Sequence, residues 1–171
     1  MHVGTNPQGG AMIYSKLIQL IENNADELSR RLCRDVFSRE ETKAYRKFSE
    51  DLLCDRVFDV YSRLGMWLSK EKQTGEVERY YTELGKKRYR EGIPLNEVVL
   101  TFMLIKRYLW LYVREKHFFD STYECYQALE MNNKVVLFFD RVIFIISRAY
   151  EEELRKEQRV SGGLFSRIFK K

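Results

Sequence analysis

The run LNEVVLTFMLIKRYLWLYVREK, residues 95–116, is too long for a strand and apolar on nearly every side. Its apolar residues recur at three- and four-residue steps with no period-two alternation, which is the signature of a helix. A helix that is apolar almost all round belongs in the middle of a protein. Lys106–Arg107 interrupts it halfway, so it lacks the roughly 18 nearly uncharged residues of a membrane-spanning helix. Val135–Ile146 repeats the pattern, with Asp140–Arg141 as its interruption. These two runs are expected to be the central helices.

Working outward, the chain upstream of Leu95 reads as a string of amphipathic helices. One spans about Ile13 to Asn23, and a second spans Asp26 to about Phe37 with Asn24 as its cap. A polar connection with a short helix follows at Ser38–Phe48. Ser49 then opens a long helix to about Lys70, with Leu53, Val57, Val60, Tyr61, Leu64, Trp67 and Leu68 on its apolar face. Gln73–Gly75 is a break, and Thr74 is placed to cap a helix over Glu76–Glu91. Gly92 sits where a left-handed residue ends that helix, and Ile93–Pro94 starts the next. Downstream of Lys116, Ser121-Thr-Tyr-Glu124 fits a capping box. The helix it opens, jogged at Asn132–Asn133, continues to about Arg159. The expected fold is all-α, an antiparallel bundle of six or seven helices over 13–160, with a globin-like arrangement as one form of it. Residues 1–12 read as a flexible leader, and 161–171 as a Gly hinge followed by a short amphipathic tail helix.

Composition agrees with one domain. The 171 residues are 44% apolar, 32% charged and 14% aromatic, enough to build a bulky core and too apolar for a disordered chain. Cys33, Cys54 and Cys125 are odd in number and widely spaced, which suits reduced packing residues in a cytoplasmic protein. The net charge of +5 lies wholly in the last 17 residues, since Met1–Leu154 holds 24 Lys/Arg against 24 Asp/Glu. A neutral body does not call for nucleic acid as a partner, although Lys86-Lys87-Arg88-Tyr89-Arg90 is a basic, aromatic-interleaved run. That run is expected to be a solvated helix end.

The basic excess accompanies an apolar stripe. Were residues 164–171 helical, Leu164, Phe165, Ile168 and Phe169 would share one face, with Arg167, Lys170 and Lys171 away from it. Such a segment suits an anionic bilayer surface, as a peripheral protein at the inner membrane face uses, or a groove on a partner. Packing back on the bundle is the other reading.

Chemistry-bearing clusters are sparse. His2 and His117 are the two histidines, and the cysteines have no metal-ligand spacing, so neither a metal site nor a nucleophile with its base is expected. His117, flanked by Phe118 and Phe119, is the one candidate axial ligand for a haem, which would make the chain a haem or small-ligand sensor. Otherwise no cofactor and no enzymatic activity are expected. Inside the core, Lys106 or Arg107 is expected to pair with Asp140 across the two central helices and set their register, because an unpaired buried charge costs several kcal/mol. The alternative is that these charges all lie on solvated faces.

The segment Gly85-x-x-Arg88-x-x-x-Gly92-Ile93-x-Leu95-x-Glu97, followed by the helix through Lys106–Trp110 and a later Asp140 in an apolar helix, resembles a bacterial pattern. It is similar to the RsbRD-type N-terminal domain of RsbT co-antagonists in stress signalling, over roughly Tyr14–Glu153. The resemblance implies an α-helical sensory or interaction module, commonly placed upstream of a kinase or STAS output domain, and supplies no catalytic residues. With no output domain expected after Lys171, the module is expected to act on a protein partner in trans or through its tail, with a second copy of the chain among its partners.

Overall fold

The computed structural model describes residues 7–68, 75–116 and 121–168, with side chains over 14–68, 75–116 and 121–159. These residues form an all-α bundle. Its helices are α1 (Pro7–Asn23), α2 (Ala25–Ser38), a 3-10 segment (Glu40–Lys47), α3 (Glu50–Tyr61), α4 (Leu64–Leu68), α5 (Glu76–Arg90), α6 (Leu95–Glu115) and α7 (Thr122–Ile168). Among the described residues there is no strand, and no helix is long and apolar enough to cross a membrane.

Several ends differ from expectation for local reasons. The first helix begins at Pro7, not Ile13, because proline in a first turn gives up no hydrogen bond. Asn24 does not cap α2: its amide donates to the Leu20 carbonyl (2.7 Å), closing the last turn of α1. The long helix expected from Ser49 breaks at Ser62–Arg63. There α4 turns toward α1, and the Gly65 N–H donates to the Glu22 carboxylate (2.8 Å). Ser49 caps α3 by accepting from the Leu52 N–H, and Ser121 accepts from the Glu124 N–H at the start of α7. Helix α7 runs without a jog through Asn132–Asn133, and its backbone stays helical across Gly162–Gly163, where a hinge was expected. Thr74 lies outside the described residues.

Helices α5, α6 and α7 make the central layer. The turn from α5 into α6 needs a left-handed residue, and Gly92 supplies it at φ 65°. The Gly92 N–H donates to the Tyr89 carbonyl (2.8 Å) and the Ile93 N–H to the Arg88 carbonyl (3.1 Å), so the last carbonyls of α5 are satisfied. Tyr150 of α7 donates its hydroxyl to the Ile93 carbonyl, while Lys106 meets Asp140 further along; α6 and α7 are therefore antiparallel. Helix α5 packs parallel to α7 and so closely that Gly85 lies against Ile146 and Ala149.

Where these helices converge, aromatic rings fill the interior. Tyr81 stands at their centre, fully buried, edge-on to Phe102 and Phe138 and 5.8 Å from Trp67 between ring centroids. Burial pushes its phenol well above the usual range, and its hydroxyl has no hydrogen-bond partner among the described residues. Desolvating an unpaired hydroxyl costs about 1–3 kcal/mol. Tyr81→Phe is therefore expected to leave the urea midpoint unchanged or raise it, by up to about 1 kcal/mol in stability. A loss larger than that would mean the hydroxyl is bonded in solution.

Candidate functional site

On the outer side of the central layer α6 and α7 expose an apolar face. Leu137 (71% exposed), Phe144 (64%) and Met103 (51%) are large side chains left in water, and Tyr126 and Leu129 extend the patch along α7. Tyr126, Leu137 and Phe144 recur at eleven and seven residues, close to whole numbers of turns, so they form one stripe. The other side of the same run, Val135, Phe138, Phe139, Val142, Ile145 and Ile146, is buried. The apolar run is thus wider than its core-facing side requires.

At the middle of this face Lys106 Nζ lies 2.7 Å from Asp140 Oδ1. Lys106 is mostly covered, whereas the Asp140 side chain is 56% exposed. The pair bridges the two helices as one of the two sequence alternatives expected, yet it sits at the surface, where an ion pair contributes about 0–1 kcal/mol. Arg107 is exposed one turn along α6 from Met103 and takes no part in the pair. Arg141 turns toward α5, where its guanidinium is 3.9 Å from Glu78, a carboxylate that Arg148 also holds. Those two arginines keep the Glu78 carboxyl below its usual range. Because α6 and α7 are antiparallel, Met103 falls on the Phe144 side of the central pair and Trp110 on the Leu137 side. Trp110 Nε1 is buried without a hydrogen-bond partner among the described residues.

The residues of the Gly85–Glu97 pattern have positions of a different kind, inside the α5–α6 corner. Arg88, expected with its basic neighbours at a solvated helix end, is buried; its guanidinium donates to Glu91 (2.7 Å). Glu91 also takes Arg56 (2.8 Å), and Lys47 donates to the Glu91 backbone carbonyl. Glu97 is buried too and accepts the Ala44 N–H (2.8 Å), tying α6 to the 3-10 segment. Of the rest of the basic run, Lys86 is held on Glu83, Tyr89 on Glu157 and Arg90 by Glu153 at 3.7 Å, while Lys87 is exposed. Sequence periodicity missed Arg88 because a basic residue in a last helical turn ordinarily faces water. Its spacing from Glu91, three residues on, was the available signal.

Other expected site residues are not brought together. His117, the candidate haem ligand, lies outside the described residues, as do Phe169, Lys170 and Lys171. Leu164, Phe165, Arg167 and Ile168 lie on the helical backbone of α7, with their side chains outside the described set. Cys33 is buried and its thiol is pushed up by burial beside Cys54, but Cys125 is exposed and so is not a packing residue. Among the described residues no three His, Cys, Asp or Glu side chains cluster to hold a metal ion. Compared with protein-family models, curated proteins and solved structures, the chain matches none of them. The geometry of the α6–α7 face is consequently what bears on function.

Proposed function

We propose that this chain is a non-enzymatic signalling or regulatory module that works by association, pairing through the α6–α7 face with a second copy of itself. The observation that carries the reading is the stripe of Met103, Leu137 and Phe144, apolar side chains exposed around a single ion pair. Contiguous exposed apolar patches of this kind mark interaction sites. A second copy fits because the face is self-complementary. Two antiparallel α7 helices crossing at Asp140 would bring each Leu137 opposite the other's Phe144, with Lys106 on each side to offset the paired aspartates. Helix α7, 47 residues and so about 70 Å long, provides the length for such a contact.

The buried polar groups of the α5–α6 corner fit the same reading, since they are engaged in holding the fold. Arg56 and Arg88 share Glu91, Glu97 holds Ala44, and Thr101 donates to the Glu97 carbonyl. The resemblance of Gly85–Trp110 to co-antagonist N-terminal domains belongs here as well, with the output acted on in trans. A pair would also present two basic tails, and two weak attachments to an anionic surface bind far better than one.

Sedimentation equilibrium tests the proposal. The chain is expected at twice its 20.6 kDa mass at micromolar concentration. Leu137→Asp is expected to weaken pairing by about two orders of magnitude, because each dimer then buries two carboxylates. Its circular dichroism should stay unchanged, since Leu137 is exposed. A wild-type chain that remains at 20.6 kDa when concentrated would sink the homotypic reading.

A further inference from the structure

A groove of about 800 Å³ runs between α3 and α5, away from the pairing face. The helices flanking it are antiparallel, since Tyr80 donates to Asp59 (3.0 Å) while Arg56 reaches Glu91 (2.8 Å). Its middle is apolar, formed by Leu84, Tyr80 and Trp67, with Leu52 towards one end. We propose that this groove binds a small amphipathic monoanion, a carboxylate on an apolar chain, with its head at Arg56, Lys87 and Arg88 and its body along Leu84, Tyr80 and Trp67.

The charge arrangement at the Arg88 end selects that ligand. Two guanidiniums, one buried and one mostly so, share the one carboxylate of Glu91. Lys87, on the exposed side of α5, lines the same end with no ion-pair partner among the described residues. Asp55 stands on the rim there, so Arg56, Lys87 and Arg88 face Asp55 and Glu91, and Lys47, which donates to the Glu91 carbonyl, adds to the positive end. Elsewhere the groove is balanced. Asp59 is held by Arg63 and Tyr80, Glu83 by Lys86, and Glu76 offsets Arg79. An excess of positive charge at one end only suits a ligand with a single anionic head, and the forked guanidiniums suit a carboxylate there. The half-buried ring of Tyr80, backed by Trp67 at 5.0 Å between centroids, gives an alkyl or aryl body an apolar surface beside it. A guanidinium already positioned by a carboxylate is pre-organised to donate its remaining N–H groups to a second one.

Isothermal titration of the full chain with decanoate, decanol and decyltrimethylammonium, each below its micelle concentration, tests the assignment. Decanoate is expected to bind at one per chain, with decanol and the cation at least tenfold weaker. Lys87→Glu, at an exposed position that leaves the fold intact, is expected to weaken decanoate at least tenfold. Leu137→Asp should leave decanoate binding unchanged, which separates this site from the pairing face. Equal affinity for decanoate and decanol, unaltered binding by Lys87→Glu, or no heat at millimolar decanoate would each overturn the proposal.

Discussion

Glu91→Ala is expected to lower the stability of this chain by about 3 kcal/mol, read as a shift of the urea unfolding curve at constant slope. The carboxylate sits between two arginines, with Oε1 on Arg56 at 2.8 Å and Oε2 on Arg88 at 2.7 Å. Side-chain exposures of 17%, 18% and 8% for Arg56, Glu91 and Arg88 leave little water to replace it. Removing the anion therefore strands two like charges side by side, and the cost is mainly that of the charges left behind. Glu91→Gln keeps the shape but offers one acceptor to two donors, so it should fall between wild type and alanine. Glu83→Ala is the control. Its carboxylate holds Lys86 at 2.8 Å but is 62% exposed, and its loss should change stability by no more than about 0.5 kcal/mol. If Glu91→Ala and Glu83→Ala cost the same, the corner arginines relax into water and the network does not hold the α5–α6 turn.

Gly85→Leu should cost more still and leave little folded protein at growth temperature. A Cβ at residue 85 would stand 2.8 Å from the Ala149 Cβ, 3.2 Å from the Ile146 carbonyl oxygen and 3.3 Å from the Ile146 Cα. Two of those three neighbours are backbone, so a clash there moves the whole of α7 away from α5. Gly85→Ala isolates the effect. In an exposed helix interior the change from Gly to Ala gains about 1 kcal/mol, whereas here it is expected to lose about 1–3. Combining Gly85→Ala with Ala149→Gly removes the shortest contact and leaves the Ile146 backbone, so partial recovery is expected, with a coupling energy of about 1 kcal/mol. A Gly85→Ala chain more stable than wild type, by thermal and urea unfolding, would show that the α5–α7 contact is looser than described.

One prediction falls on Gly85 of the Gly-x-x-Arg-x-x-x-Gly pattern and the other on Glu91, the partner of its Arg88, which explains why that pattern reads as it does. Gly85 allows the close approach of α7, Gly92 turns the chain at positive φ, and Arg88 and Glu97 are buried with partners. The pattern describes a corner of the fold. The pairing face and the groove lie on the sides of the helices that the corner sets in place.

What the sequence determined by itself was the helical content and most of its punctuation. Three- and four-residue apolar spacing, the Ser49 and Ser121 caps and the Gly92 stop are local, depending on residues within one or two turns, and they are legible for that reason. The same reading named Lys106 and Asp140 together, because two charges in the middle of two apolar runs narrow the partners available. It misjudged where local preference met a neighbour far along the chain. Asn24 served α1 and not α2, the Ser49 helix broke so that α4 could meet α1, and Arg88 turned inward to a carboxylate that Arg56 also holds. Above all, periodicity marks a residue as apolar without saying which helix, if any, covers it. Val135 and Leu137 look alike in sequence; one faces the core and the other faces water, because α1, α4, α5 and α6 together cover only part of the circumference of α7. That division depends on how those helices pack, and only the tertiary structure decided it.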